Sequence, residues 1–183
     1  MNFFGVDVHQ NSYTVACLNE ELNIVDVFNA NIQEVCDKVN AFEPKFIGVD
    51  GPYGLNIGLM NDVHRNKKVS EYELSKRNIQ AFSTPGDMLE ITGWKTWMKS
   101  GFDLYAVIEE SGYKKINEDN YASLNNGLVE VFPHASFTTL LGYIPKKKNT
   151  PEGLADRIRV LSELGIKDIS NYLIGGIKEK TDY

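Results

Sequence analysis

Three acidic residues stand where strands would carry apolar ones: Asp7 in FGVDV, Asp50 in FIGVDGP and Glu130 in LVEVFP. Burying an unpaired carboxylate costs several kcal/mol, or the group takes up a proton instead. If the first and fourth strands are neighbours, Asp7 and Asp50 lie side by side and repel. A hard divalent cation, Mg²⁺ or Mn²⁺, removes that repulsion and gives each charge a partner. Two such ions roughly 3.5–4 Å apart suit in-line attack on a phosphodiester, one activating water and the other stabilising the leaving oxygen. Spacing alone leaves a plainer reading open. An Asp that closes a strand is often a turn residue, and Glu130 would then simply face solvent from an edge strand.

Other side chains are weighed against these three. His9 follows Asp7 by two residues and would share its face if the strand continued, as a proton shuttle or as a plain turn residue. His134 follows Pro133, near Glu130. Arg77 in ELSKR and Arg157 in ADRIR have the fork geometry for a scissile phosphate, and both types also serve as surface or ion-pair residues of helices. Lys147, in the run Lys146-Lys147-Lys148, suits a nucleic-acid backbone or a solvated loop. Trp94, Trp97 and Tyr53 suit base stacking or a core. No P-loop, GxGxxG, GxSxG or HExxH pattern is present, which removes the common kinase and dehydrogenase readings.

The elements that must position these residues follow from periodicity. Residues 2–8, 13–18 and 22–28 read as three strands joined by short polar turns, which can only be an antiparallel meander. Asn31 caps a helix with Glu34 as its capping-box partner, and Ile32, Val35, Cys36, Val39 and Phe42 form one apolar stripe before Pro44. Residues 45–50 form a strand, which the intervening helix would bring back parallel. A helix is expected over 70–79 with Ser70 as its cap, and another over most of 94–113. The strand 128–134 ends at Pro133, which opens the helix ASFTTLLG. Thr150, Pro151 and Gly165 delimit a helix over 150–166. DISNYLIGGIKEK reads as a short helix or a tail.

The chain has 183 residues, 42% hydrophobic and 24% charged, and a net charge of −6. This fits a single domain over 1–183, with 51–125 as a mostly helical insertion. Cys17 and Cys36 read as small buried hydrophobes, without metal spacing, in a reducing cytoplasm. No apolar run is long enough to span a membrane, and the N-terminus has no basic leader. The acidic balance argues against a nucleic-acid coat protein but allows a local basic groove. Oligomeric state is not readable.

GVD near the N-terminus, GVDGPYGL, ELSKR, FSTP, VEVFPHASFTTLLGYIPKKK and GLADRIRVL, in that order, resemble the predicted RNase-H-like nuclease family, domain of unknown function 429. The resemblance spans nearly the whole chain. It implies an α/β RNase-H-like fold whose five-stranded mixed sheet has three antiparallel strands and then parallel ones. It also implies an acidic metal site on Asp7, Asp50 and Glu130. Such sites often take a last carboxylate from a C-terminal helix; here Asp182 stands one residue from the end, and either Asp156 or Asp168 serves instead or the site is incomplete. The expected function is a nuclease dependent on Mg or Mn, acting on DNA or RNA. The alternatives are a non-catalytic module of the same fold that binds nucleic acid or a protein, and an actin-like phosphotransferase, which would need two such domains.

Overall fold

The computed structural model describes residues 1–56 and 67–172. The expected tail beyond residue 172, with Asp182, lies outside them. β1 (Asn2–Val8), β2 (Tyr13–Asn19) and β3 (Ile24–Ala30) form the antiparallel meander. Helix α1 (Ile32–Phe42) crosses over to β4 (Phe46–Asp50), which pairs parallel with β1. Then come α2 (Val69–Lys76), two 3₁₀ turns (Met88–Glu90 and Gly93–Thr96) and α3 (Trp97–Glu110). β5 (Lys114–Lys115) and β6 (Gly127–Val131) complete the sheet, and α4 (Pro133–Leu141) and α5 (Pro151–Glu163) follow. The order β3-β2-β1-β4-β6-β5 is a mixed sheet of RNase-H-like topology. It has six strands rather than five because two residues, Lys114 and Lys115, add a short parallel edge to β6.

Alternation places the core on one face. Phe4, Val6, Val8, Val15, Ile47, Val49 and Leu128 point there and meet Val35 and Val39 of α1 and Leu104, Tyr105 and Ile108 of α3. Each such side chain removed from water is worth about 1.5–3 kcal/mol. The cap of α1 forms as expected: Glu34 N–H donates to Asn31 Oδ1 at 3.0 Å and Asn31 N–H to Glu34 Oε2 at 2.8 Å. Both cysteines are buried and free. No helix among the described residues is long and apolar enough to cross a membrane.

β6 ends at Val131, before the Pro133 expected to close it, α2 and α5 stop three residues early at Lys76 and Glu163, and three further boundaries shift for local reasons. β3 begins two residues later because Leu22 adopts a φ of 60° in the preceding turn, where Asn19 Oδ1 accepts from Asn23 N–H. α2 starts at Val69, so Ser70 is inside the helix and Lys68 holds the cap position. Glu71, not a serine, does the capping, accepting the Lys68 N–H at 2.9 Å. The α3 region opens with a 3₁₀ turn over Gly93–Thr96 before the α-helix proper.

Candidate active site

Parallel pairing of β1 with β4 sets Gly5 opposite Gly48, Val6 opposite Val49 and Asp7 opposite Asp50. Val6 and Val49 fill the core, so the two aspartates project together from the other face. Antiparallel pairing extends the row across the sheet, since Asp7 faces Thr14 and Thr14 faces Asn29. His9 Nε2 lies 3.0 Å from Thr14 Oγ1 and 3.8 Å from Asp7 Oδ2. The Thr14 hydroxyl donates onward to Asn29 Oδ1 at 2.8 Å. Asp7 is half exposed, whereas Asp50 is more enclosed. Burial, and then the charge of Asp7, push the Asp50 carboxyl up to about 6, against an opposing pull from Lys148.

The pair opens on a cleft of about 500 Å³ whose other end is aromatic. Phe82, Trp94, Trp97 and Phe132 line that end. Phe82 meets Trp97 and Phe132 edge-to-face, with centroids 4.9 and 5.7 Å apart. Two anchors hold this wall. Glu71, buried in α2, accepts both the backbone N–H and the hydroxyl of Thr84, fixing the FSTP segment that carries Phe82. Gly51 and Gly101 let α3 approach the end of β4, since a Cβ at Gly51 would meet Val8 at 3.1 Å and one at Gly101 the Pro52 carbonyl at 3.4 Å. The Tyr105 hydroxyl donates to the Gly51 carbonyl at 3.2 Å, and burial pushes its pKa strongly up.

Glu130 is not brought to the aspartate pair. Its register partner is Val49, so it leaves β6 on the core face. There its Oε2 accepts from Lys68 Nζ at 2.7 Å and Tyr53 N–H at 2.9 Å. It ties the loop after β4 and the start of α2 to the sheet. Arg157 is likewise engaged: its Nη1 donates to the carbonyls of Lys146 and Gly153 at 3.0 and 2.6 Å, and its guanidinium lies over the Phe137 ring. It shapes the lysine loop instead of facing a phosphate. Asp156 accepts from the Tyr143 hydroxyl at 2.6 Å and lies 3.9 Å from Arg159. Arg77 is exposed at the end of α2. His134 packs its ring against the edge of Phe132. Tyr53 lies under Lys115 Nζ at 4.0 Å and hydrogen-bonds Glu109, outside the cleft lining. Lys147 is exposed, but the lysine whose charge reaches Asp50 is its neighbour Lys148.

Among the described residues no group of three or more His, Cys, Asp or Glu side chains converges for a metal ion. The donor set that does converge is Asp7 and Asp50, two carboxylates beside an open cleft. That set fits Mg²⁺, which is commonly held by one or two carboxylates together with waters and substrate phosphates. Glu71 and Gly153 were missed by sequence reasoning, which weighed Lys148 only as part of the run Lys146-Lys147-Lys148. Glu71 three residues after a helix start is the one signal that could have flagged a cap there.

The sheet order and the paired aspartates at the ends of β1 and β4 define an RNase-H-like α/β protein with an acidic cleft. The chain belongs to the family described as a protein of unknown function (DUF429), whose model matches residues 5–181. Among solved structures it is similar to Thermus thermophilus RuvC, with 11% identity over 92% of this chain and 82% of that one and a TM-score of 0.45. It is also similar to T. thermophilus RuvC in complex with Holliday junction substrate, with 10% identity over 91% of this chain and 97% of that one and a TM-score of 0.37. No curated protein matches it.

Proposed function

We propose that this protein is a metal-dependent nuclease that hydrolyses phosphodiester bonds at the Asp7–Asp50 end of the cleft. The observation that carries this reading is the register pairing of two aspartates on neighbouring parallel strands, one of them with its carboxyl pushed up to about 6. Two like charges held together by the backbone are a standing cost to the fold, which a divalent cation would relieve. Asp7 and Asp50 would hold Mg²⁺ or Mn²⁺, which when bound supplies Lewis-acid polarisation of a phosphoryl oxygen and a lowered pKa for water.

The chain's own residues do the rest. His9 lies 3.8 Å from Asp7 with its Nε2–H donating to the Thr14 hydroxyl, so its Nδ1 is the atom that takes the proton of the attacking water and passes it to solvent. The Lys148 ammonium steadies the phosphate beside Asp50. The cleft's aromatic end excludes water from one side of the substrate. Glu130 acts at one remove, keeping the loop after β4 in place through Tyr53 and Lys68.

The second reading is a non-catalytic module of the same fold, favoured by the two-carboxylate donor set among the described residues. Calorimetric titration with Mn²⁺ separates the two. Saturable binding that disappears in Asp7→Asn, with Mn²⁺-dependent cleavage of a labelled oligonucleotide, supports the nuclease. Equal heats for wild type and Asp7→Asn, without cleavage, support the module.

A further inference from the structure

The cleft has an aromatic half that hydrolysis at the acid pair does not need. Trp94 is 68% exposed, unusual for so large an apolar ring. It stands on the 3₁₀ turn ahead of α3, with Lys95 Nζ 5.8 Å from its centroid. Trp97, one turn on, is half-buried and braced edge-to-face by Phe82, which is braced in turn by Phe132. The result is a rigid wall with one open indole on the same cleft as Asp7 and Asp50. A volume of about 500 Å³ falls within the roughly 300–1,000 Å³ of sites for single small ligands. A base inside a duplex has both faces covered by its neighbours, so only an unpaired one can stack on this ring.

From this geometry we infer that the aromatic end of the cleft holds an unpaired nucleobase, stacked on Trp94, whose flanking phosphate lies at Asp7 and Asp50. The inference rests on the nuclease reading for the phosphate and names the substrate class as single-stranded or locally unpaired nucleic acid. Charge complementarity selects this occupant over an apolar peptide or a lipid chain. A nucleotide joins a flat π-face to an anion; here the open Trp94 ring has Lys95 Nζ beside it, and the charge of Lys148 reaches Asp50 across the cleft. Stacking tolerates any base, because each has a π-face, so little sequence preference is expected from this contact.

Both tryptophans of the chain line this cleft, so fluorescence excited at the red edge, where the nine tyrosines do not absorb, reports on it. The probes are a 12-mer oligothymidylate and a 12-base-pair duplex closed at both ends by non-nucleotide linkers. Both are titrated into wild-type protein with Ca²⁺, a hard cation for carboxylate oxygens, in place of Mg²⁺ or Mn²⁺, and the strand is recovered and checked to be uncut. Saturable quenching by the single strand and not by the closed duplex is expected. Trp94→Ala should weaken the single strand about 5- to 150-fold, and Trp94→Phe should restore most of the loss. An unchanged melting temperature in both variants excludes misfolding as the cause, since Trp94 is exposed. Equal binding of the closed duplex, or an unchanged affinity in Trp94→Ala, overturns the inference. The Mn²⁺ titration is read separately. A protein that binds Mn²⁺ at Asp7 but does not stack the single strand keeps the nuclease reading and loses the base site. One that stacks the strand but binds no Mn²⁺ keeps the base site and loses the nuclease reading.

Discussion

At Asp50 the fold accepts a loss of stability for the sake of the site. Its carboxyl is raised from 3.8 to about 6. Between those values the folded chain holds a proton that the unfolded chain has released, so stability falls as pH rises through that window and levels off above about 6. With allowance for solvent screening the loss is roughly 1–3 kcal/mol. Asp50→Asn removes the titration. In chelator, urea unfolding should find the two proteins nearly equal near pH 4 and the variant more stable by that amount at pH 7.5. An offset that does not change with pH would mean that neither burial nor the charge of Asp7 raises the Asp50 carboxyl. Adding Mn²⁺ at pH 7.5 should stabilise wild type and leave Asp50→Asn unmoved, because only a ligand that binds the folded state shifts the equilibrium.

Among the elements beyond the sheet, α1 and α3 build the core, whereas α5 fixes a loop. In α5 the first turn carries the lysine loop. A Cβ on Gly153 would lie 2.2 Å from the Lys147 carbonyl oxygen and 2.5 Å from that of Lys146. Only glycine permits this approach, and Arg157 then donates to the Lys146 carbonyl. Gly153→Ala should displace the loop, cost about 1–3 kcal/mol and weaken oligonucleotide binding while leaving Mn²⁺ affinity near wild type. Thermal melts and the two titrations check this, and a variant that binds oligonucleotide normally would separate the loop from the site. Such anchors were hard to read from the chain. The capping box at Asn31 and the Thr150-Pro151 start were legible because they are local in sequence. Asp7 and Asp50 were legible because each follows a valine in a strand with one clear core parity. Glu130 was not, because β6 is apolar on both faces: alternation puts Glu130 with Leu128 and Val129 with Val131, and only the register with β4 shows that the first pair faces the core and the second shares the face of Asp50. Glu71 holds Thr84 across thirteen residues of chain, a pairing that no periodicity announces.

For the molecule as a whole, the question is how a chain of net charge −6 meets a polyanion. Helices α1 and α3 cover one face of the sheet. On the other, Gly5, Asp7 and Val27 remain exposed, and among the described residues the positive charge that reaches Asp50 comes from Lys148 on the α4–α5 loop. A footprint of only about two to four phosphates follows, and for a single strand the logarithm of the binding constant should fall with the logarithm of salt at a slope of roughly −1.5 to −3. Lys148→Ala should flatten that slope by about 0.7 and weaken the strand. The same substitution removes a positive charge that opposes a cation at Asp50, so it should tighten Mn²⁺ binding. Opposite signs for the two ligands are what a lysine between a metal site and a phosphate produces. If both affinities fell together, Lys148 would be holding the fold of the loop. If neither moved, the lysine would be solvated and the strand would have to enter the cleft from the side of Lys95.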